Sequence, residues 1–203
     1  HTNIINPIYG SWIFLGALVT DLELTPDKAV KKNCGKCTLC IDKCPTGAIV
    51  APYVLDNSKC ISYLTIECRG SIPIDLRPLI GDWVFGCDIC QEVCPPNIKS
   101  MPTSEPAFMA GEHGFNTLDL IPILQITEEE FRDKFQGTPI MRAKRRGLIR
   151  NVCVALGNIG DPVAIPSLSS ALKSSDNIIS EHAAWALGQI GGRDAEQCLY
   201  NAL

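Results

Sequence analysis

From Leu118 onward, apolar residues recur along the chain with the period of an α-helix. Thr127 is followed three residues later by Glu130, which is the spacing of a capping box. Such a box predicts a helix that begins here and continues to about Phe135. The C-terminal part of the chain is therefore expected to be helical.

A longer helix is predicted from about Met141 to Asn158. The motif ALGxIG starts at residue 155 and again at residue 186, an offset of 31. Two copies of a helix–turn–helix unit at this period are typical of a HEAT-like stack. We therefore expect a helical HEAT-like domain over residues 117–203.

The first 33 residues show a different pattern, with the apolar run GSWIFLGALVT near their middle. This run predicts a strand-rich segment around Trp12–Val19. It is too short to cross a bilayer, so we expect no membrane partner. The chain opens in apolar sequence and closes in a predicted helix, which favours the interpretation that it is part of a longer or split protein.

These patterns divide the chain into four regions. A leading segment covers 1–33, and a cysteine-rich domain covers 34–100. A stretch rich in proline, glycine and serine over 101–116 is predicted to be a linker, and the helical domain covers 117–203.

Cysteine is the unusual component of the composition. The chain of 203 residues has eleven, and nine of them fall between Cys34 and Cys94. Secreted disulfide scaffolds are smaller and space their cysteines more widely, so we expect a reducing cytoplasm. The net charge of −4 leaves nucleic-acid binding open, because local clusters of charge decide it.

The first cysteine motif has the spacing C-x2-C-x2-C-x3-C-P, formed by Cys34, Cys37, Cys40 and Cys44. This spacing is typical of bacterial ferredoxins with two [4Fe–4S] clusters, in which the fourth cysteine binds the other cluster. The second motif has only three members, Cys87, Cys90 and Cys94, because Val84 stands at the expected first position. Cys60 and Cys68 are the candidates for the missing ligand. We favour Cys60, which follows the first motif as the returning strand of a ferredoxin would.

The predicted ligand sets are therefore crosswise. One [4Fe–4S] cluster is assigned to Cys34, Cys37, Cys40 and Cys94, and the other to Cys44, Cys60, Cys87 and Cys90. Two structural zinc sites or disulfides are the alternatives, but paired zinc knuckles rarely show this spacing. Two neighbouring clusters transfer single electrons, so an external electron donor and an acceptor are expected. The predicted fold class is α+β, a ferredoxin-like domain followed by the HEAT-like domain.

A cationic stripe lies in the predicted long helix, within the sequence MRAKRRGLIR. Its members are Arg142, Lys144, Arg145, Arg146 and Arg150. The four arginines fall within an arc of about 140° on a helix, opposite an apolar face. Such a face in an acidic protein would attract a phosphate backbone, although a solvated helix face is the alternative interpretation.

Three stretches resemble the epoxyqueuosine reductase family, and together they cover nearly the whole chain. These are YGSWIFLGALVTDLEL, the cysteine-rich stretch with its CISYLTIE block, and RAKRRGLIRNVCVALGNIGD. The resemblance implies a cobalamin-dependent enzyme of the last step of queuosine synthesis in tRNA. In that family cob(I)alamin removes the epoxide oxygen at the wobble position, and the clusters reduce the cobalt.

The resemblance also implies roles for residues outside the cysteine motifs. Ser62 and its neighbours would lie against the corrin, and Leu15 and Val19 would line the same pocket. The cationic stripe would hold the tRNA anticodon stem–loop.

Two departures from the family pattern shape the prediction. Cys68 stands where the family usually has histidine, and the corrinoid-binding N-terminal half, which carries the catalytic acid, has no counterpart here. We therefore expect the electron-delivering, tRNA-binding C-terminal portion of the enzyme, with no catalytic residue of its own and a corrinoid-binding half as its partner. The alternatives are a stand-alone ferredoxin-like module and the electron-input half of another corrinoid enzyme, such as a reductive dehalogenase.

Overall fold

The structure is a computed structural model that describes residues 2–30, 34–106 and 118–202. Its cysteine-rich part is built from short elements. These are helix α1 (Leu39–Lys43), strands β1 (Ile49–Ala51) and β2 (Val54–Leu55), and helices α2 (Ile61–Ile66), α3 (Arg77–Ile80), α4 (Ile89–Glu92) and α5 (Pro95–Ile98). The two strands form an antiparallel hairpin in which Ile49 pairs with Leu55.

Two of these helices begin directly after a cysteine. Helix α2 begins directly after Cys60, and α5 begins directly after Cys94 with Pro95 at its first position. Proline is favoured there because its fixed φ suits the first turn, where its missing N–H would have no partner in the helix. The local sequence therefore turns the chain into a helix immediately beyond each of these thiols.

The helical part follows the predicted order. Its members are α6 (Leu120–Ile123), α7 (Glu128–Phe135), α8 (Lys144–Ile159), α9 (Ile165–Leu172), α10 (Asn177–Ile190) and α11 (Gly192–Tyr200). The capping box at Thr127 and Glu130 is present, so the prediction of α7 is confirmed. A 3-10 turn occupies Pro139–Arg142, so the long helix begins at Lys144 rather than near Met141.

Helix α8 is the centre of the helical part, and it is buried from Gly147 to Gly157. It packs most extensively against α10, which in turn packs against α9. A Cβ placed on Gly157 would lie 2.8 Å from the Trp185 ring and 2.9 Å from the Cα of Ala186. The glycine of the first ALGxIG copy is therefore required by the close approach of α8 to α10.

The two parts share an apolar cluster. Val154 of α8 is buried together with four residues of the cysteine-rich part, Ile61, Leu64, Ile72 and Ile80. A second and larger cluster fills the interior of the helical part itself. The helical part therefore supplies a piece of the core on which α2 and α3 rest.

The leading segment is the clearest difference from the sequence prediction. Between residues 2 and 30 the described backbone forms one isolated bridge, Asn6 with Gly10, so the strand-rich prediction for Trp12–Val19 is wrong. The apolar pattern reflects side chains that favour burial, but a strand also needs a partner backbone to pair with. The segment is instead tied to α5, where Ser11 N–H donates to Asn97 Oδ1 at 2.6 Å.

The α+β fold class and the order of its two parts are confirmed by these elements. Of the predicted linker over 101–116, residues 107–116 lie outside the described residues. Among the helices that the structure describes, none has both the length and the apolar character needed to cross a bilayer.

Candidate iron–sulfur centre

A cavity of about 350 Å³ lies beside the start of α2. Four thiols line it, and they belong to Cys44, Cys60, Cys87 and Cys90. They come from three separate stretches: the end of the first motif, the residue before α2, and the segment around the start of α4. The structure thus brings together the set that the sequence predicts for one cluster.

Cys68, the rival of Cys60, lies elsewhere. It follows the C-terminal end of α2, whereas Cys60 precedes the N-terminal end. Its Sγ lies 3.8 Å from the carbonyl oxygen of Gly70, and the residue packs against the apolar cluster around Ile72. The side chains around the cavity do not include it. This placement favours Cys60 as the fourth thiol of the cavity.

The other predicted set consists of Cys94 and the first three cysteines of the first motif, and these four thiols interact electrostatically. Burial raises the pKa of the Cys94 thiol, and the neighbouring Cys34, Cys40 and Cys37 raise it further. Cys40 and Cys94 are buried, whereas Cys37 is exposed. Cys94 therefore lies beside the first motif although more than fifty residues separate them, as the crosswise prediction requires.

Thiol ionisation differs among the residues that line the cavity. Burial, the largest cause, and the nearby Cys87, Cys60, Cys40 and Cys44 together raise the pKa of Cys90 to about 11. Burial opposes ionisation of Cys44 too, but hydrogen bonds from the Thr46 hydroxyl and from backbone N–H groups outweigh it and lower the pKa of Cys44. Several thiolates crowded together are stable only beside cations, and bound iron ions would supply that charge.

The donor set fits iron–sulfur clusters. All eleven cysteines lie in the described residues. Among the described residues, no three histidine, cysteine or acidic side chains converge on a single metal ion. Each thiolate of a cubane cluster binds a different iron, so its four sulfurs stand apart around the cluster, whereas four zinc ligands must meet at one ion.

Of the three residues predicted to contact the corrin, only Ser62 lies at the cavity. Ser62 lines the cavity beside Cys60. Leu15 and Val19 do not line it, and their side chains are 68% and 103% exposed in the leading segment. The structure thus places Ser62 next to the thiols and leaves the two apolar side chains on an open surface.

Arg150 corrects the prediction of the cationic stripe. It is 1% exposed, and its guanidinium donates to the carbonyl oxygens of Leu64, Cys68 and Gly70 at 2.6–2.8 Å. It faces α2 and the loop after it rather than solvent. A helical wheel gives the arc of the arginines but not the position of the neighbouring domain, so Arg150 is a structural residue and is not available to a nucleic acid.

The remaining stripe residues surround the first turn of α8. Lys144 and Arg142 are exposed, and Arg142 forms an ion pair with Glu67. Arg146 forms one with Asp176, which raises the pKa of Arg146. Arg145 is half-buried and donates to the carbonyl oxygen of Ile126. Two of these cations are therefore already partnered by acidic side chains.

Sequence reasoning missed Arg69. Its Nη1 donates to the carbonyl oxygen of Arg142 at 2.6 Å, so it joins the cations at the start of α8. It lies 73 positions earlier in the chain, and only tertiary contact brings it there. The exposed cations Arg69, Arg142, Lys144 and Arg146 are called the cationic surface below.

A second cavity, of about 240 Å³, lies beside this surface. Arg145 and Lys173 line it from α8 and from the end of α9, and Ser170 and Ser174 add hydroxyl groups. Its polar lining is therefore suited to anionic groups.

Two family descriptions match the chain. Residues 33–97 match the 4Fe-4S double cluster binding domain, and residues 139–203 match HEAT repeats. The first match covers all the motif cysteines together with Cys60. The prediction of two [4Fe–4S] clusters as cofactors is confirmed at the level of the domain.

Similar proteins extend the match over nearly the whole chain. The epoxyqueuosine reductase of Pseudomonas aeruginosa is 44% identical over 196 residues, which is 94% of this chain and 53% of that protein. The solved structure of the Bacillus subtilis epoxyqueuosine reductase matches with a TM-score of 0.89 at 35% identity, covering 98% of this chain and 54% of that one.

A crystal structure of epoxyqueuosine reductase with an epoxyqueuosine-modified tRNA-Tyr stem loop matches as well. Its TM-score is 0.90 at 35% identity, covering 98% of this chain and 53% of that one. The chain spans about half the length of the relatives it matches. The agreement in sequence and in fold runs along nearly the whole chain, which is therefore similar to about half of an epoxyqueuosine reductase.

Proposed function

We propose that this chain is the electron-delivering and tRNA-binding part of a reductase that converts epoxyqueuosine to queuosine in tRNA. The observation that carries the proposal is the cavity in which Cys44, Cys60, Cys87 and Cys90 meet beside Ser62, in a chain similar to epoxyqueuosine reductases. When bound, the clusters supply single electrons and cobalamin supplies the reduced cobalt that removes the epoxide oxygen. The chain's own residues bind, space and shield these groups.

The proposed cluster ligands are the two crosswise sets. Cys40 lies in α1 and Cys44 directly after it, while Cys90 lies in α4 and Cys94 two residues after its end. Each of the two helices α1 and α4 therefore has one thiol of one set within it and one thiol of the other set just after its end. Cys40 also contributes to the raised pKa of Cys90, which supports placing the two sets near each other. Interleaved sets of this kind suit the passage of electrons from one cluster to the other.

The ligand assignment is tested by Cys60→Ala with Cys68→Ala as the matched control. Anaerobically reconstituted protein should hold about eight irons per chain, because each [4Fe–4S] cluster has four. Cys60→Ala should reduce this to about four, and Cys68→Ala should leave it unchanged. Iron loss in the control but not in Cys60→Ala would reassign the fourth ligand.

Cobalamin is proposed to lie against the cavity at Ser62. The leading segment offers an exposed apolar surface with Leu15, Val19 and their neighbours, which would line the corrin once a corrinoid-binding N-terminal half or partner chain is present. An apolar wall excludes water from a reduced metal centre, and the Ser62 hydroxyl can donate or accept a hydrogen bond. An external electron donor is also required.

The tRNA anticodon stem–loop is proposed to dock on the cationic surface and at Arg145. A relative of closely similar fold has been solved with such a stem loop. The exposed guanidinium groups of Arg142 and Arg146 can exchange their half-buried acidic partners for phosphates, because surface ion pairs contribute little stability. The polar cavity at Arg145 and Lys173 adds a site for an anionic group.

The function is tested by adding the reconstituted chain to a cobalamin-loaded N-terminal half and tRNA that carries epoxyqueuosine. Queuosine should form only when iron, corrinoid and an electron donor are all present. Nucleoside analysis of the digested tRNA gives the yield. Product formation without any corrinoid would contradict the proposal, and tight corrinoid and iron binding with no affinity for tRNA would favour a separate electron-transfer module.

A further inference from the structure

Asn151 is a buried amide at the boundary between the two parts of the molecule. It lies on α8 and is 1% exposed. Its Nδ2 donates to the carbonyl oxygen of Thr65 at 2.7 Å and to that of Val84 at 2.8 Å. Both acceptors belong to the cysteine-rich part, so one side chain of the helical part holds two separate segments of the other.

These two segments carry two of the thiols of the cavity. Thr65 is on α2, which begins directly after Cys60, and Val84 lies three residues before Cys87. A third hydrogen bond joins the same segments, from Gly86 N–H to the Thr65 hydroxyl at 3.0 Å. The distance between the Cys60 and Cys87 backbones is therefore fixed by α8 together with Thr65.

The direction of the Asn151 amide is determined by its neighbour. Its Oδ1 accepts from the Nη2 and Nε of Arg150 at 2.8 and 3.1 Å. A guanidinium can only donate, so the oxygen must face Arg150 and the NH₂ group must face the two carbonyls. Among the described residues every buried side-chain polar atom has a partner, so this network is complete. Complete buried networks are rigid, because breaking one bond leaves a desolvated group.

We propose that Asn151 is a positioning residue for the second cluster, and that it sets the spacing of the Cys60 and Cys87 thiolates without touching either of them. The proposal rests on the ligand assignment made above. It extends the cluster environment beyond the double cluster domain and into the HEAT-like repeats. The geometry of the cluster then depends on a helix whose first turn carries Lys144 and Arg146 of the cationic surface.

The test is Asn151→Leu, which keeps the side-chain volume but removes both hydrogen bonds. Asn158→Leu is the matched control. Asn158 also lies on α8, and its Nδ2 donates to two backbone carbonyls, those of Arg77 and Gly81, at 2.8 Å each. Neither acceptor is within five residues of a cysteine. Asn158→Leu removes the same number of bonds to backbone carbonyls, away from the thiols, whereas Asn151→Leu also removes the acceptor of the Arg150 guanidinium.

The readouts are iron per chain, the electron paramagnetic resonance signals of the reduced clusters, and their midpoint potentials. Asn151→Leu should alter the signal and potential of one cluster or lose about half of the iron, while the other cluster is unchanged. Asn158→Leu should lower the melting temperature but leave both signals as they are. Thr65→Val removes the acceptor of Gly86 N–H and the donor to the carbonyl oxygen of Ile61. It should shift the same cluster, and it serves if Asn151→Leu does not fold.

Equal effects of Asn151→Leu and Asn158→Leu on the clusters would overturn the proposal, because general loosening would then explain both. Unchanged cluster signals in both Asn151→Leu and Thr65→Val would overturn it as well. Unmodified protein with only about four irons would instead overturn the ligand assignment on which it rests. Iron content of the unmodified chain therefore separates failure of the proposed function from failure of the role of Asn151.

Discussion

Buried polar side chains of the helical part find their partners on the backbone of the cysteine-rich part. His182 is fully buried, and its Nε2 accepts from Ile72 N–H at 3.1 Å. Its Nδ1 lies 2.7 Å from the carbonyl oxygen of Ile178, which only accepts, so the proton is on Nδ1. The imidazole is therefore held neutral, and one residue joins α10 to the loop before α3.

His182 should make the free energy of unfolding depend on pH. Burial, the largest cause, and the charge of Arg77 together lower the pKa of His182 to about 4. The unfolded chain has the ordinary pKa of about 6.5, so it binds a proton where the folded chain does not. The stabilisation is complete above about pH 6.5 and is lost as the pH falls towards 4.

Between pH 7 and pH 5 we expect His182 to account for a loss of about 2 kcal/mol in the free energy of unfolding. His182→Gln retains an acceptor for Ile72 N–H but cannot gain a proton, so its loss over the same range should be smaller by that amount. Urea unfolding followed by circular dichroism at both pH values gives the difference. The same pH dependence in both proteins would contradict the assignment.

At the scale of the element, α8 has different neighbours along its length. Its first turn is exposed and cationic, and its middle is buried against α10 and α2. Arg146 and Arg150 are four residues apart and would share a helix face, yet one pairs with Asp176 at the surface and the other is enclosed. The cationic surface therefore ends about one turn into the helix.

Arg146→Glu should weaken binding of an RNA stem–loop roughly tenfold and reduce the dependence of log Kd on log salt by about one. Arg132→Glu on α7 is the control, because Arg132 is also exposed and also pairs with an acid, Glu128. Asp176→Asn should act in the opposite direction, since it frees the Arg146 guanidinium for a phosphate. Titration of labelled RNA at several salt concentrations measures all three, and equal effects of the two arginine variants would argue against a localised surface.

At the scale of the whole molecule, the two parts form a common interior. Val154 enters the apolar cluster of the cysteine-rich part, and Arg150 hydrogen-bonds three of its carbonyls. Asn158 adds two more such bonds. A boundary with this much buried apolar and polar contact should not open independently of the parts that it joins.

Arg150→Met should lower the free energy of unfolding by about 3–5 kcal/mol, because one buried and two partly buried hydrogen bonds to carbonyls are lost. Well below the melting temperature it should leave RNA affinity unchanged, since the residue is enclosed. Absorbance of the clusters and helical circular dichroism should disappear in one transition on heating. A loss of RNA affinity equal to that of Arg146→Glu, without a loss of stability, would place Arg150 on the surface after all.

The sequence by itself determined the features that depend on neighbours along the chain. The spacing of Cys34, Cys37, Cys40 and Cys44 indicates the cluster type, because a short loop brings these thiols together in any fold that contains it. The capping box of α7 and the two ALGxIG copies are likewise local, since hydrogen bonds within a turn and the helical period produce them. These features specified a double cluster domain followed by helical repeats.

The tertiary structure decided which side of each element is enclosed and which distant residues meet. It placed Cys60 rather than Cys68 on the cavity, enclosed Arg150, brought Arg69 to the cationic surface and left Trp12–Val19 without strand pairing. A period shows that a helix has two faces, but the partner that covers each face is set by contacts between segments as much as 110 positions apart. Burial and hydrogen bonding across such separations depend on the packing of the whole chain, which a local pattern does not contain.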